Sequence, residues 1–332
     1  LAGASLPLTS SIAGARDYSL SPAPAKVQLL GKAGSPKTDV WAFSGNVPGP
    51  VIRARQGERL KIVLGNGLPQ ETTLHCHGLR LPNAMDGVPD LTQAAIKPGE
   101  KFTYEFDLPD AGTYWYHPHI YTTQQVGRGL NGAMIVEEKH PPKVDRELLW
   151  VVDDWRVGDD GALSDDFDHP HDISHGGRIG NLVTINGEEL DNLPVKAGER
   201  LRLRMINAAN ARVFGLRFEG MEPTVIALDG HPVTPHAPPD GRVVFGPGQR
   251  VELILDVAGN PGDRLAVVDD YYDRFKYTLI TFDVDPGEPL RESPMDASIT
   301  LPANPLAEPD LAQAETQEIL IEGGAMGGLR EA

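Results

Sequence analysis

Short stretches in which apolar and polar residues alternate dominate the chain, and this pattern predicts β-strands. It is clearest in "RLKIVLG", "RLRLRMIN" and "RVELILDV", where every second position is apolar and Gly or Asn lies at or just after the end of the stretch. Apolar residues at helical spacing are scarce. We therefore predict an all-β protein organised as Greek-key β-sandwiches.

Two segments of the chain occur twice, which indicates a duplicated unit. "ARQGERLKIVLGN" at 54–66 resembles "VKAGERLRLRMIN" at 195–207, and "KPGEKFTYEFDL" at 97–108 resembles "GPGQRVELILDV" at 246–257. The copies lie about 140 to 150 residues apart, which is the size of one domain. The chain is therefore predicted to contain two domains of the same architecture.

The two ends of the chain are predicted to lie outside these domains. Near the start, Ala13-Gly14-Ala15 has the A-x-A form of a signal-peptidase site, which suggests an export signal and a periplasmic or secreted protein; an ordinary N-terminal arm is the alternative. After the second domain, a Pro-rich stretch predicts a linker or a wrapping arm, and "TQEILIEGG" then predicts a further strand. The predicted division is an export-signal remnant and arm at 1–24, a first domain at 25–143, a second domain at 144–285, and at 286–332 a linker with the first strand of a third domain that is missing from the chain.

Composition narrows the class of protein further. Hydrophobic residues make up 40% of the 332 residues, the 36 Gly and 29 Pro are spread along the chain, and the apolar runs are too short to span a membrane. The formal net charge of -17 disfavours nucleic acid and anionic membrane surfaces as partners. A single cysteine excludes an internal disulfide. We expect a globular protein without a membrane span.

Four histidines form two H-x-H pairs in the first domain: His75 with His77, and His117 with His119. In an extended strand, residues i and i+2 project from the same face about 6.5 to 7 Å apart, so each pair can present two imidazoles to one place. Cys76 would then point to the opposite face. Two such pairs on neighbouring strands would bring four imidazoles together, and imidazole-rich sites favour copper, zinc, iron or nickel.

Two longer segments resemble the multicopper oxidases, the family of laccases and copper-efflux oxidases. "LHCHGLRLPNAMDGVPD" is similar to their first copper segment, although most members have Trp where Cys76 stands, and "GTYWYHPHIYTTQQVGRGLNGAMIV" is similar to their second. The resemblance continues through "GERLRLRMIN" and "ALDGHPV" and covers nearly the whole chain. It implies tandem cupredoxin-like domains and an oxidase that couples one-electron oxidation of phenols, aromatic amines or metal ions such as Cu(I) to the reduction of O₂ to water.

The resemblance also implies roles for individual residues. His75 would bind the type 2 copper of a trinuclear cluster. The two type 3 coppers of that cluster would be bound by His77, His117 and His119. Asp86 matches an acidic residue near the water on the type 2 copper, where a carboxylate is suited to relay protons. A purely turn-forming Asp86 is the alternative.

One departure from the family pattern bears on activity. The family's cluster takes eight histidines, and this chain supplies the four above. The others, with the cysteine that binds the type 1 blue copper, belong to two segments of a third cupredoxin domain, H-P-x-H-x-H and H-C-H-I-x-x-H, and neither segment occurs in this sequence. That domain would be needed to complete the cluster. The chain alone is expected to lack blue-copper absorption and not to oxidise phenolic dyes.

Cys76 does not fit a blue-copper site. Such a site needs two histidines and usually a weak axial Met beside the thiolate, and in cupredoxins the second His and the axial residue follow the Cys within about a dozen residues. Leu81 and Asp86 stand five and ten residues after Cys76, and Met85, nine residues after it, lacks the intervening His. Cys76 is therefore predicted to be a small buried residue behind the ligand strand.

Six other histidines are not assigned to the cluster, and one of them, His140 in "EEKHPPKVD", is predicted to be a linker residue. His231 and His236 in "GHPVTPH" have a different spacing and are predicted to lie in a surface turn. His169, His171 and His175 stand among four aspartates in "DDFDHPHDISHGG". That segment allows either a solvated loop or auxiliary copper binding.

Two other functions fit parts of the sequence. A two-domain copper nitrite reductase or two-domain laccase would be a trimer with copper between subunits, but nitrite reductases place the blue-copper Cys where this chain has Pro118. A copper-free cupredoxin scaffold would have lost the H-x-H pairs, and both pairs are intact here. The sequence does not specify the reducing substrate or the oligomeric state.

Overall fold

The computed structural model describes residues 16–31, 34–293, 295–307 and 309–320, and most of its regular structure is β-strand. The strands of the first half are β1 (Arg16–Leu20), β2 (Pro22–Val27), β3 (Thr38–Phe43), β4 (Gly49–Arg55), β5 (Arg59–Gly65), β6 (His75–His77), β7 (Lys101–Asp107), β8 (Gly112–His117) and β9 (Gly132–Glu137). Those of the second half are β10 (Arg146–Trp155), β11 (Leu182–Ile185), β12 (Asn192–Val195), β13 (Arg200–Asn207), β14 (Phe214–Phe218), β15 (Thr224–Leu228), β16 (His231–His236), β17 (Val243–Phe245), β18 (Arg250–Asp256), β19 (Arg264–Asp269) and β20 (Tyr277–Val284). The described residues also form the helices α1 (Thr122–Gly127) and α2 (Pro170–Ser174), and 3-10 turns at Asn83–Met85, Pro239–Gly241, Asp273–Phe275 and Leu311–Gln313.

The first nine strands build one β-sandwich, which we call unit one (residues 16–138). Its sheets have the strand orders β1-β5-β7 and β4-β9-β8-β6, and β2 pairs with β3. The alternation in β5 buries Leu60, Ile62 and Leu64 completely. These side chains pack in one core with residues of the second sheet such as Met134. The hydrophobic period of two therefore determines which face of each strand lies inside.

The remaining strands build a second β-sandwich, which we call unit two (residues 144–285). A six-stranded sheet, β11-β10-β13-β18-β15-β16, lies against a five-stranded sheet, β12-β20-β19-β14-β17. The core between them contains Leu203 and Leu253 from the first sheet and Phe214 and Phe282 from the second. The prediction of an all-β protein with two β-sandwiches is confirmed.

The duplicated sequence segments occupy equivalent places in the two units. In unit one, β5 lies between β1, which is parallel to it, and β7, which is antiparallel. In unit two, β13 lies between a parallel β10 and an antiparallel β18. The duplicated segments therefore have the same strand neighbours, in the same directions, in both units.

Residues 16–24, which the sequence places in an N-terminal arm, are instead part of unit one. β1 pairs with β5 along its full length, and β2 pairs with β3. Leu20 is buried in the core, and the Tyr18 hydroxyl donates a hydrogen bond to the Arg53 carbonyl at 2.7 Å. The segment "RDYSL" is only five residues long, so its alternation does not distinguish it from the small residues before it. The signal-peptidase site at residues 13–15 lies outside the described residues, so the export signal remains a prediction.

The segment after β20 runs as an arm over both units. Within it, Leu301 is buried against Ile226 and Ile254 of unit two. At 316–320, where the sequence predicts the start of another strand, the chain is exposed and forms no strand, and 321–324 lie outside the described residues. The third domain therefore remains a prediction.

The two units meet along β8 and β9 of unit one. Trp115 and Ala133 pack there against Val151, Ile206 and Ala208 of unit two in a small apolar cluster. β8 consequently has both faces covered, and all six of its residues are buried. The face of β8 that carries Trp115 and His117 looks toward unit two.

Candidate metal centre

The first histidine pair lies on β6, which pairs with β8 in antiparallel register. His75 is opposite His117, and His77 is opposite Trp115. Cys76 lies between the two histidines on the other face of the strand, where it is 1% exposed and packs in the core of unit one. The predicted alternation is confirmed, and it directs both imidazoles of this pair toward unit two.

The second pair straddles the end of β8. His117 is the last residue of the strand, and His119 follows Pro118 outside it, held by a hydrogen bond from its backbone N–H to Thr73 Oγ1 at 3.0 Å. The His75 ring centroid lies 5.5 Å from that of His77, 5.3 Å from that of His117 and 5.2 Å from that of His119. The four imidazoles therefore surround one place, as the sequence predicts.

Three of these histidines form a compact set of ligand atoms. One ring nitrogen from each of His75, His77 and His117 lies within 4.8 Å of the other two. The shortest approach is between His77 Nδ1 and His117 Nε2, at 3.3 Å. Nitrogen ligands bind a divalent transition metal at about 2.0–2.1 Å, so atoms spaced this closely can reach a shared ion or neighbouring ions.

Backbone carbonyls determine which ring nitrogen is available for a metal. His75 Nδ1 lies 2.7 Å from the Asp86 carbonyl oxygen, and His117 Nδ1 lies 2.8 Å from the Pro118 carbonyl oxygen. Because a carbonyl oxygen only accepts hydrogen bonds, both Nδ1 atoms carry the proton. The lone pair of each ring is then on Nε2, which is the usual arrangement of a metal-ligating histidine with an oriented second nitrogen.

Burial keeps the imidazoles of His75, His77 and His117 neutral. It lowers the pKa of His117 to about 3. Burial, with the positive charge of Arg250 as the next cause, lowers the pKa of His77 to about 4, and burial also lowers the pKa of His75. Metal binding requires deprotonated ligands. The three rings therefore present unprotonated nitrogens at neutral pH.

Asp86 lies beside the first pair. Its side-chain Oδ1 is 3.3 Å from His75 Nδ1, and its carbonyl is the oxygen that orients the same ring. The turn that carries it ends at Gly87, whose φ is 76° and where an added Cβ would lie 2.0 Å from the Leu74 carbonyl oxygen. Only glycine fits there, so the turn holds Asp86 firmly against the strand of His75. Its role in proton transfer remains a prediction.

Unit two supplies residues to this site that the sequence did not reveal. An added Cβ on Gly248 would lie 3.2 Å from the His77 ring, so the turn before β18 forms a wall of the site. Arg250 donates hydrogen bonds to the carbonyls of Thr113 and Asp229, one from each unit, and to the Gly248 carbonyl. The duplicated segment "GPGQRVELILDV" contains both residues, but its repetition indicated only a strand.

A cavity of about 580 Å³ opens beside the imidazoles. All four histidines and Trp115 line it from unit one, and Phe167, Arg178 and Asn210 are among the lining residues of unit two. Trp115 stacks on His117 with ring centroids 4.1 Å apart. The site is therefore a cleft between the units with access for further groups.

The Cys76 thiol is turned away from this cleft. Burial raises its pKa to about 12, so the thiolate that a blue copper requires is strongly disfavoured. The other unassigned histidines lie elsewhere. His140 is exposed after β9, and His231 and His236 are exposed at the two ends of β16. His169, His171 and His175 are exposed on and around α2.

Known proteins are similar to this chain along most of its length. Two family profiles, both described as multicopper oxidase, match residues 26–141 and 147–281. The chain is 32% identical to "Multicopper oxidase MmcO" of Mycobacterium tuberculosis over 72% of this chain and 51% of that protein. It is 28% identical to "Copper resistance protein A" of Pseudomonas syringae pv. tomato over 86% of this chain and 52% of that protein. The chain thus spans about half the length of the curated relatives it matches.

A solved structure is similar over most of the chain. The crystal structure of a multi-copper oxidase from Pseudomonas thermotolerans superimposes with a TM-score of 0.80 and 37% sequence identity. The match covers 92% of this chain and 71% of that one. In the described residues, both helices are far too short to cross a membrane.

Proposed function

The chain belongs to the multicopper oxidase family, and from that membership we propose that it holds half of a trinuclear copper site in an enzyme that reduces O₂ to water. The observation that carries the proposal is the convergence of ring nitrogens from His75, His77 and His117 within 4.8 Å. His119, whose ring centroid is 5.2 Å from that of His75, completes the set.

The residues fit copper chemically. Neutral imidazoles with the second nitrogen oriented by a carbonyl are favourable ligands for Cu²⁺, which binds nitrogen sites more tightly than the other divalent first-row ions. By the family pattern, His75 is the proposed ligand of the type 2 copper. The proposed type 3 ligands are His77, His117 and His119. The type 1 copper and the other four histidines are proposed to come from a third cupredoxin domain.

Copper bound at this site would supply the one-electron and O₂ chemistry that side chains lack. The protein's own contribution is position and protons. The Asp86 carbonyl orients His75. The Asp86 carboxylate lies 3.3 Å from Nδ1 of the same ring, where it would pass protons by way of water to reduced oxygen. Trp115 and the Gly248 turn form apolar walls that restrict the cleft.

The proposed reductants are phenols, aromatic amines or low-valent metal ions such as Cu(I), with O₂ as the acceptor. The names of relatives support both ends of this range, since one is a copper resistance protein and another is a rice laccase. The proposed location is the periplasm or the outside of the cell, which rests on the A-x-A pattern at 13–15 alone.

Oxygen uptake tests the proposal. The copper-loaded complete protein is given a phenol or Cu(I), and O₂ consumption is followed with an oxygen electrode. We expect uptake with four electrons per O₂ and without accumulated hydrogen peroxide, and we expect His77→Ala to abolish it. His231→Ala is the control, because His231 is exposed and does not line the cleft. A protein that takes up copper but consumes no O₂ would contradict the oxidase proposal, and one that takes up no copper would support the scaffold alternative.

Asp86→Asn tests the proton role within the same assay. Loss of a general acid–base group typically slows a reaction by about 10²–10⁴-fold. We expect slower O₂ reduction at unchanged copper content. The matched control is Asp90→Asn, since Asp90 lies in the same loop but is exposed. If wild type and Asp86→Asn consumed O₂ at equal rates, Asp86 would have only a structural role in the turn.

A further inference from the structure

A second group of imidazoles comes together outside the cleft, on α2 of unit two. His171 lies in this helix and His175 caps its C-terminus, so the two are four positions apart. The His175 backbone N–H donates to the His171 carbonyl at 3.0 Å, which closes a helical turn between them. Residues four apart in a helix project from the same side. The turn therefore brings both rings to one face of the helix.

The two rings are close enough to become ligands of one ion. Their centroids are 4.3 Å apart and their planes differ by 6°. With metal–nitrogen distances of about 2.0–2.1 Å, two imidazoles on one ion have centroids roughly 4 to 6.5 Å apart. The rings of the metal centre, with centroids 5.2 to 5.5 Å from that of His75, fall in the same range. Because the ring planes are nearly parallel, both rings must turn about their side-chain bonds before their nitrogens point to one ion. Both side chains are exposed, so this rotation is open to them.

Ring nitrogens are available on both residues. His175 Nδ1 is occupied, because it lies 2.8 Å from Ser174 Oγ and 3.3 Å from the His171 carbonyl. That leaves His175 Nε2 open. Within the described residues no hydrogen bond involves a ring nitrogen of His171, and both side chains are exposed. An ion can therefore approach from solvent without displacing an existing contact.

The helix is held in place by an ion pair and a backbone hydrogen bond of Asp172. Arg156 Nη1 lies 2.7 Å from Asp172 Oδ2, and the Gly177 N–H donates to the Asp172 carbonyl at 3.0 Å. Asp172 and Ile173 line the cavity beside the metal centre. The exposed histidine face of α2 is thus anchored at the edge of the same cleft.

We propose that His171 and His175 form a surface site for a divalent transition-metal ion, with Cu²⁺ the preferred ion. Two imidazoles with open water positions suit borderline metal ions, and among these Cu²⁺ binds nitrogen ligands most tightly. The site is separate from the four-histidine cleft and does not depend on the oxidase function. A copper ion bound there would lie at the edge of the cleft.

Titration of the metal-free 332-residue chain with Cu²⁺ tests the proposal, followed by calorimetry and by the copper electron paramagnetic resonance (EPR) signal. We expect His171→Ala/His175→Ala to bind one Cu²⁺ fewer than wild type. Each single substitution should weaken that ion about 10- to 100-fold, because the second imidazole binds intramolecularly. The matched control is His231→Ala/His236→Ala, whose exposed rings stand about 16 Å apart along β16 and cannot share an ion.

A second background separates this site from the cleft. In His75→Ala/His77→Ala, the ion at α2 should remain with unchanged affinity, whereas copper in the cleft should be lost. The proposal is overturned if His171→Ala/His175→Ala binds as much Cu²⁺ as wild type with the same affinities. It is also overturned if the His75→Ala/His77→Ala chain has no Cu²⁺ left that His171→Ala/His175→Ala can remove.

Discussion

His77 shows how a single ligand depends on residues from both units. Its ring lies against Gly248, and the strand that carries it continues into Gly78. The Arg250 guanidinium passes so close to Gly78 that an added Cβ would lie 2.1 Å from Nη2. Arg250 cannot easily move aside, because it donates to the carbonyls of Thr113, Asp229 and Gly248. Glycine after the H-x-H pair is therefore a requirement of the contact between units.

Gly78→Ala should destabilise the protein by about 2–4 kcal/mol, from a non-glycine residue at φ 85° and from lost hydrogen bonds of Arg250. The measurement is the free energy of unfolding from urea denaturation. Gly246→Ala is the control, because the nearest atom to an added Cβ there is Gln249 Oε1 at 3.5 Å. It should change stability by less than about 0.5 kcal/mol. If both substitutions lowered the free energy of unfolding equally, the Arg250 side chain would be able to move away from residue 78 at no cost.

Strand alternation makes only part of the site predictable at the residue scale. It places His75 and His77 on one face and Cys76 in the core, and both predictions are confirmed. It does not reveal Gly248 or Arg250 near the site. Their contacts with His77 and Thr113 join residues more than a hundred positions apart, and a local sequence pattern does not predict contacts at that separation.

Among the elements, β13 carries charges that the alternation rule alone would leave in solvent. All eight of its residues are buried, including Arg202 and Arg204. Glu252 on β18 accepts from Arg202 Nε at 3.0 Å and from Arg204 Nη1 at 2.8 Å. Thr113 of β8 also donates to Glu252, at 2.6 Å. The charged face of β13 is therefore neutralised within the contact between the units.

The stability of this network should depend on pH. Burial alone would raise the pKa of Glu252, but Arg204 and Arg202 outweigh burial and lower it to about 2. A carboxyl whose pKa is lower in the folded than in the unfolded chain stabilises the fold above the unfolded value of 4.5, and this contribution is lost as pH falls toward 2.

Glu252→Gln is the corresponding variant. It should destabilise the protein by about 3–5 kcal/mol at neutral pH, since two buried guanidinium groups lose their shared carboxylate. Between pH 4.5 and 2 its stability should fall less steeply than that of wild type. Urea denaturation at several pH values measures both effects. The control is Glu105→Gln on β7, an exposed ion pair that should contribute at most about 1 kcal/mol. A parallel pH dependence in Glu252→Gln and wild type would exclude Glu252 as the titrating group.

The strands with the clearest alternation, among them β5, β13 and β18, were predictable, because apolar alternation identifies buried faces. The duplicated segments also gave the correct correspondence of β5 with β13 and of β7 with β18. β1 was missed because it is five residues long and its alternation becomes visible only beside β5. The burial of both faces of β13 depends on packing against the other unit, which a strand pattern does not encode.

At the scale of the whole molecule, the arm after β20 ties the two units together. Asn304 accepts from the Ala111 N–H at 2.8 Å and donates to the Ala111 carbonyl at 3.0 Å. It also lies 3.3 Å from the Gly230 carbonyl oxygen of unit two. One side chain therefore joins the start of β8, the strand that leads to His117, to unit two. The Pro-rich composition predicted a linker or an arm but not this contact.

Asn304→Ala should lower the free energy of unfolding by about 1–3 kcal/mol, because it leaves buried backbone groups of Ala111 without partners. Urea denaturation measures the change. Gln313→Ala serves as the control on the same arm, since Gln313 is exposed and its side-chain amide donates a hydrogen bond to Asp310 within the same turn. If the two variants were equally stable, the arm would rest on the surface without joining the units.

The central claim is that the four histidines of the cleft, and not Cys76, hold copper. The most direct measurement is the copper content of the dialysed chain, determined by elemental analysis in the His171→Ala/His175→Ala background so that only the cleft is counted. We predict that the chain retains copper, that Cys76→Ser retains the same amount, and that His75→Ala/His77→Ala/His117→Ala retains none. Loss of copper in Cys76→Ser, or full copper content without the three histidines, would contradict the account.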